Sequence, residues 1–328
     1  MATQYTAKIP FKRIVKIGMW YNSNKETITS VYNKLTSLYP GKEVYIANGG
    51  FFNRDWTACW GLKAGNTTYS DSWNNSCFMA MVDKEIKYYP EGSTFPVMCT
   101  DGITGYPSLV ENGKRSPKFH TAPDGKSDRG RTMLGYTDDS VILSCISDVS
   151  GSSDFTLTEE LNFMLKQGCT YAMNLDGGGS SQCNFNGKRI TSTRRVHNFI
   201  YIIADLDMSN PKKHYQSWLN TTYNSGLVID GSLGSLTNKA TIKGMQKEIG
   251  VASDGSWGPK SKSAYKTLKL NGTYNTENKV KLLQGALMRK GYWSDVVDGK
   301  FTTILSNQII LYQRSHKLTT NGLADLHL

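Results

Sequence analysis

The chain has 328 residues, enough for two or three domains that bury their own cores without disulfide or metal staples. With 20% charged and 11% aromatic residues it is an ordinary globular sequence, which excludes a disordered or collagen-like chain. The formal charge of +11 is uneven: residues 1–208 hold 22 Lys and Arg against 20 Asp and Glu, whereas residues 209–328 hold 16 against 7. A net of +9 thus sits in the last 120 residues and suggests a polyanionic partner.

Elements follow in chain order. Glu43–Ala47 reads as a short strand that ends at Asn48-Gly49-Gly50. Arg131–Tyr136 and Val141–Ile146 are β-rich runs that form a hairpin around Thr137–Ser140. Thr156-x-x-Glu159 is a capping box, and it predicts a helix over 157–167 that Gly168 ends. Tyr171–Leu175 is a strand running into Asp176-Gly-Gly-Gly-Ser-Ser181. Cys183–Phe185 and Arg189–Thr191 flank Asn186-Gly187, a strong hairpin signal. Val196–Ala204 is a long apolar strand. Residues 1–208 are therefore an α+β, strand-rich domain, and Pro211 marks its boundary.

The rest of the chain repeats itself. At an offset of 68, Lys213, Gln216, Leu219, Asp230 and Gly231 match Lys281, Gln284, Leu287, Asp298 and Gly299. After a one-residue slip, Gln246 and Gly255 match Gln313 and Gly322. Each copy reads as helix, Asp-Gly turn, helix and a second glycine turn. The expectation is two small all-α modules of the three-helix type, at 209–271 and 272–328. The second copy lacks the Trp257-Gly-Pro259 segment of the first, so its last helix is expected to be missing or altered.

Several chemistries fail on the residues. Gly-x-Ser-x-Gly is broken by Gln182, and no phosphate-binding P-loop or His-Glu-x-x-His helix exists. The six cysteines, all before residue 209, make no Cys-x-x-Cys pair and read as buried free thiols. No segment approaches the apolar length of a membrane span, and the N-terminus lacks a secretory pattern.

Three segments carry chemistry. Asn48-Gly-Gly-Phe-Phe-Asn53 offers glycines at a strand end, where backbone can approach a ligand. Asn174-Leu-Asp-Gly-Gly-Gly-Ser-Ser181 places Asp176, a candidate general base or nucleophile, beside amides that form an anion-binding concavity. In Asp128-Arg-Gly-Arg-Thr132, Arg131 suits bidentate phosphate binding and Thr132 adds a hydroxyl. A weaker polar cluster, Arg194, Arg195, His197 and Asn198, enters the last strand.

Taken in chain order, the segments resemble the phosphodiester glycosidase family, that of N-acetylglucosamine-1-phosphodiester α-N-acetylglucosaminidase. The resemblance spans roughly residues 10–205 and is carried by Asn48–Phe52, by Arg131, Thr132 and Gly135, by Asn174–Ser181, and by Arg195, Val196 and Asn198. Gly105-Tyr-Pro-Ser-Leu-Val110 resembles a further family segment, and Met133 departs from the small residue usual after Arg-Thr. The repeats resemble peptidoglycan-binding modules.

The resemblance implies hydrolysis of a sugar-1-phosphodiester of the N-acetylglucosamine-1-phosphate type in a bacterial wall polymer. It implies Asp176, Arg131, Asn48 and Asn174 as catalytic. Gly49, Gly50, Phe51, Phe52, Thr132, Gly177, Gly178, Gly179, Ser180, Ser181, Arg195, His197 and Asn198 would bind substrate. Arg131 and the Gly177–Gly179 amides would clamp phosphate, while Asn48 and Asn174 would bond sugar hydroxyls or orient water. No cofactor is required; Asp176 with neighbouring carbonyls would suit a divalent cation such as Ca2+. The expected partner is peptidoglycan, teichoic acid or both, with no nucleic acid and no membrane span. Action on the cell envelope without a signal peptide fits phage-lysin-like release or non-classical export. Two alternatives keep the same site: a peptidoglycan glycosidase, and a non-catalytic carbohydrate-binding wall protein.

Overall fold

The computed structural model describes residues 2–74, 76–119, 128–149, 155–207 and 209–324. It divides into two compact units, Met1–Asp205 and Leu206–Leu328.

The first unit begins with β1 (Gln4–Pro10), β2 (Ile14–Tyr21), α1 (Ile28–Leu38) and β3 (Glu43–Asn48). Next come β4 (Leu62–Ala64), β5 (Thr67–Ser70), β6 (Cys77–Val82), β7 (Glu85–Tyr89), β8 (Asp101–Gly105), β9 (Ser108–Glu111) and β10 (Lys114–Arg115). The unit closes with β11 (Arg131–Tyr136), β12 (Ser140–Ile146), α2 (Leu157–Lys166), β13 (Tyr171–Asn174), β14 (Cys183–Phe185), β15 (Lys188–Ile190) and β16 (Asn198–Ala204). The strands form three sheets, in the orders β1-β12-β11-β13-β9-β10, β15-β14-β3-β16-β2 and β5-β4-β8-β6-β7, and neighbours within each are antiparallel.

Strand alternation explains the layering. On β12, Val141, Leu143 and Cys145 face the central core, while Ile142 and Ile146 face α2. On β16, Ile200, Ile202 and Ala204 face the same core, while Phe199, Tyr201 and Ile203 face α1. A strand covered on both faces reads as a continuous apolar run, as Phe199–Ala204 does. The third sheet adds Leu62, Met79, Met81, Ile86 and Ile103 to that core. The expected local signals appear. The capping box closes on Thr156 and Glu159, Gly168 follows α2 at φ +80°, and Asn186 and Gly187 turn the β14–β15 hairpin at φ +50° and +97°.

The second unit is helical: α3 (Pro211–Tyr223), α4 (Ser235–Glu248), α5 (Pro259–Ala264), α6 (Glu277–Arg289) and α7 (Thr303–Ser315). Both copies contribute to one apolar cluster, in which Tyr215, Leu219 and Met245 pack with Leu282 and Met288. The repeated Gln and Gly residues form four copies of one device. Gln216 donates to Asp230 Oδ1 (2.8 Å) and to Ser232 O (3.0 Å), and its Oε1 accepts from Gly231 N–H (2.7 Å). Gln246 with Asp254-Gly255, Gln284 with Asp298-Gly299 and Gln313 with Asn321-Gly322 repeat this bonding. All four glutamines are buried, so each turn's polar groups are satisfied without water. The four glycines lie at φ +67° to +80°, which explains why they recur. In the first copy α5 follows the second turn; residues 325–328, at the same place in the second copy, lie outside the described residues.

Candidate active site

β3 ends at Asn48 and β13 at Asn174, and these ends meet although the strands belong to different sheets. Asp176 N–H donates to Gly49 O (3.1 Å), and Asn48 Nδ2 donates to Asp176 O (2.6 Å). Asn48 Oδ1 accepts from Thr132 Oγ1 (2.6 Å) and from Gln182 N–H (3.1 Å). Leu175 N–H donates to Thr132 O (2.8 Å), tying β11 to the same junction. Asn48 and Thr132 are each 0% exposed. The amide of Asn48 and the hydroxyl of Thr132 bond to each other and hold the loops together.

Asn198 acts similarly from β16. Its Oδ1 accepts from Gly50 N–H (2.8 Å), and its carbonyl accepts from Gly49 N–H (2.9 Å). A Cβ at Gly49 would stand 2.0 Å from Asn198 Oδ1, so close approach requires glycine there. His197 is packed among Tyr21, Phe52 and Trp56 with ring centroids 5.0–6.1 Å away. Burial lowers its pKa, opposed by a backbone hydrogen bond at Trp56. Phe52 and His197 therefore belong to an aromatic packing cluster, and Arg195 is exposed.

Asp176 is half-buried just past the end of β13. Its Oδ1 accepts from Gly177 N–H (2.9 Å). Desolvation pushes its carboxyl above the usual carboxylate range, against the opposing pull of Ser180, Gly177 N–H and Arg194. The glycine loop does not present the expected row of amides. Gly177 N–H is used by Asp176, and Gly178 N–H donates to Gly130 O (2.7 Å).

Arginine side chains supply the positive charge instead. A Cβ at Gly179 would lie 3.2 Å from Arg194 Nη2, and one at Gly178 would lie 4.0 Å from Arg129 Nη1. Arg194 Nη1 also donates to Ser180 Oγ (3.3 Å). Arg131 is buried under the loop, and its Nε donates to Phe155 O (2.8 Å). Its guanidinium is thus fixed rather than searching solvent. Sequence reasoning missed Arg129 and gave Arg194 only a minor place. The signal available was their spacing around the two loop segments.

The sequence names Phe51 as substrate-binding but not the two rings beside it. Phe51, Trp60 and Tyr106, all half-buried, form a run of rings with centroids 5.3 and 5.7 Å apart. Cys59 N–H donates to Phe51 O (3.0 Å), and the charge of Asp176 helps raise the Cys59 thiol, after desolvation. Asn174 Nδ2 donates to Tyr106 O (2.6 Å), while Asn174 Oδ1 and Ser181 Oγ are buried without a partner among the described residues. Arginine side chains thus border the loop that follows Asp176, and the half-buried rings come from segments bonded to Cys59 and Asn174. Glu160 of α2, also missed, is fully buried with neither oxygen partnered among the described residues. Burial pushes it up to about 8, and Arg131 opposes that rise. Among the described residues, no group of three or more His, Cys, Asp or Glu is arranged to hold a metal ion.

The chain matches two family models: Phosphodiester glycosidase over residues 41–203 and Putative peptidoglycan binding domain over residues 276–327. The comparison with curated proteins returns no match. Among solved structures it is similar to the catalytic domain of zebrafish N-acetylglucosamine-1-phosphodiester alpha-N-acetylglucosaminidase, auto-inhibited by its pro-peptide. That similarity has 13% identity and a TM-score of 0.47, over 62% of this chain and 82% of that one. A hypothetical protein from Synechocystis is similar at 12% identity and a TM-score of 0.48, over 61% of this chain and 59% of that one. A putative exported protein from Burkholderia pseudomallei has 20% identity and a TM-score of 0.28, over 36% and 28% of the two chains. Among the described residues no helix is long and apolar enough to cross a membrane. Residues 41–203 thus match the phosphodiester glycosidase family model and are joined in one chain to a match to a peptidoglycan-binding domain at 276–327, a combination that suggests a cell-wall hydrolase.

Proposed function

We propose that the protein hydrolyses a sugar-1-phosphodiester in a bacterial wall polymer, releasing the sugar and a phosphomonoester. The observation that supports this best is that Arg129 and Arg194 border the glycine loop after Asp176, while the half-buried rings Phe51 and Tyr106 sit on segments bonded to the same strand-end junction. Guanidinium groups suit phosphate oxygens, and ring faces suit the C–H face of a pyranose. A sugar phosphate laid across the carboxyl would have its anomeric carbon near Asp176.

In the proposed reaction a water oxygen bonds to the anomeric carbon, and the bond from that carbon to the bridging phosphate oxygen breaks. The bond's electron pair leaves with the phosphate, and the water's proton passes to Asp176 and on to solvent. A phosphate leaving group is weakly basic, so the site needs charge stabilisation more than a strong general acid. Arg129 and Arg194 would stabilise the departing charge. A carboxyl held above its usual range is a better proton acceptor than an ordinary aspartate.

The test is incubation with purified cell wall followed by mass spectrometry of what is released. Free amino sugar with new phosphomonoester ends supports the reading. In labelled water, label in the phosphate rather than the sugar would exclude cleavage at the anomeric carbon. Muropeptides alone would favour the second reading, a peptidoglycan glycosidase at the same site, which the peptidoglycan-binding match keeps in view.

A further inference from the structure

The duplication in the second unit produces the same groove twice, with opposite linings. In the first copy a groove of about 420 Å3 runs between the turn after α3 and the side of α4. It is lined by Tyr223, Ser225, Leu236, Lys239, Lys243 and Lys247, and no carboxylate lines it. In the second copy the equivalent groove, about 490 Å3, is lined by Trp293, Asp295, Asp298, Ile304 and Gln308, with no cation. Ser225 and Trp293 stand at the 68-residue offset, as do Leu236 and Ile304. The fold thus supplies the groove, and side chains alone decide its charge.

The three lysines recur every four residues, so they lie along one face of α4 about 6 Å apart. Lys239, Lys243 and Lys247 are exposed, and none forms an ion pair among the described residues. Asp254 accepts from Gln246 and offsets Lys239 in part, and Glu248 accepts from Tyr223 and Asn278. The remaining like charges along the row are unfavourable for the isolated helix. A bound polyanion would remove that cost. Leu236, 74% exposed at one end, and the Tyr223 ring, with Lys247 Nζ 5.8 Å from its centroid, add apolar contact.

We propose that the first-copy groove is a binding site for a linear phosphodiester polymer, held by Lys239, Lys243 and Lys247, and that the second copy does not share this charge preference. This rests on the proposed substrate class only in naming a wall polymer. Three lysine–phosphate contacts on a single-stranded polymer release about two counterions, which corresponds to roughly 20-fold weaker binding between about 50 and 200 mM salt.

The experiment measures sedimentation of the full chain with purified walls that carry poly(glycerol phosphate), against the same walls stripped of phosphate polymer. Lys239→Gln, Lys243→Gln and Lys247→Gln are combined in one variant; all three are exposed, so folding is retained and circular dichroism checks it. The expected result is a tenfold or greater loss of binding to phosphate-bearing walls and a flatter salt dependence. Binding to stripped walls should be unchanged. Equal binding by the variant and the native protein overturns the proposal. So does duplex DNA binding that phosphate-bearing walls fail to compete away. Binding is read without turnover, so a protein that binds through these lysines but releases no sugar refutes the proposed reaction and leaves this site standing.

Discussion

Asn48→Ala separates a structural role from a catalytic one. The Asn48 side chain makes three hydrogen bonds, to Thr132, Gln182 and Asp176, at a position that is 0% exposed. Each neutral bond contributes about 1 kcal/mol, and buried partners left unpaired add to the loss, so the expected cost is about 4 kcal/mol. In a unit of this size that lowers Tm by roughly 8–16 °C. Thr132→Val removes only the hydroxyl donor and should cost about 1 kcal/mol. Since the two side chains bond each other, the double variant should fall short of additivity by a similar amount. Thermal unfolding followed by circular dichroism measures all three variants. If Asn48→Ala unfolds at the native temperature while its turnover falls a thousandfold, the amide works on substrate and the positioning role is refuted.

Asp176→Asn should retain the native Tm and lose at least two orders of magnitude in kcat; activity near the native level would remove this carboxyl from the reaction. Glu160 is neutral below about 8 in the folded chain and ionises near the ordinary glutamate range when unfolded. Its contribution to stability is therefore fully present at low pH and declines as pH rises from about 4.5 to about 8. Glu160→Gln should flatten the fall of Tm over that window, and an unchanged slope would contradict the burial argument. Gln284→Ala leaves Asp298 and Gly299 N–H without their partner and should destabilise the helical unit by about 2–3 kcal/mol in urea unfolding. Lys300→Ala, next to it but exposed, should change stability by less than about 0.5 kcal/mol.

Much of the fold was legible because its signals are local. The Thr156–Glu159 capping box, the Asn186-Gly187 turn and the alternating faces of β12 and β16 depend on residues a few positions apart. The 68-residue repeat was equally plain, and the glutamine clasp explains it: one buried amide and one Asp-Gly or Asn-Gly turn must be kept together. The site was legible as motifs but not as roles. A sequence cannot distinguish an asparagine facing a ligand from one facing a neighbouring loop, because both need the same amide. Asn48 and Asn198 prove to hold backbone together.

By itself, the sequence determined the strand-rich first part, the duplicated helical second part and the uneven charge between them. Those follow from periodicity, turn chemistry and composition. Only the tertiary structure decided where the charge acts within each part. It turns the Gly177 and Gly178 amides inward and sets Arg129 and Arg194 against the loop in their place. It also lines three lysines along one of two equivalent grooves. The physical reason is that a side chain's chemistry depends on what desolvates and faces it, and those neighbours come from distant parts of the chain.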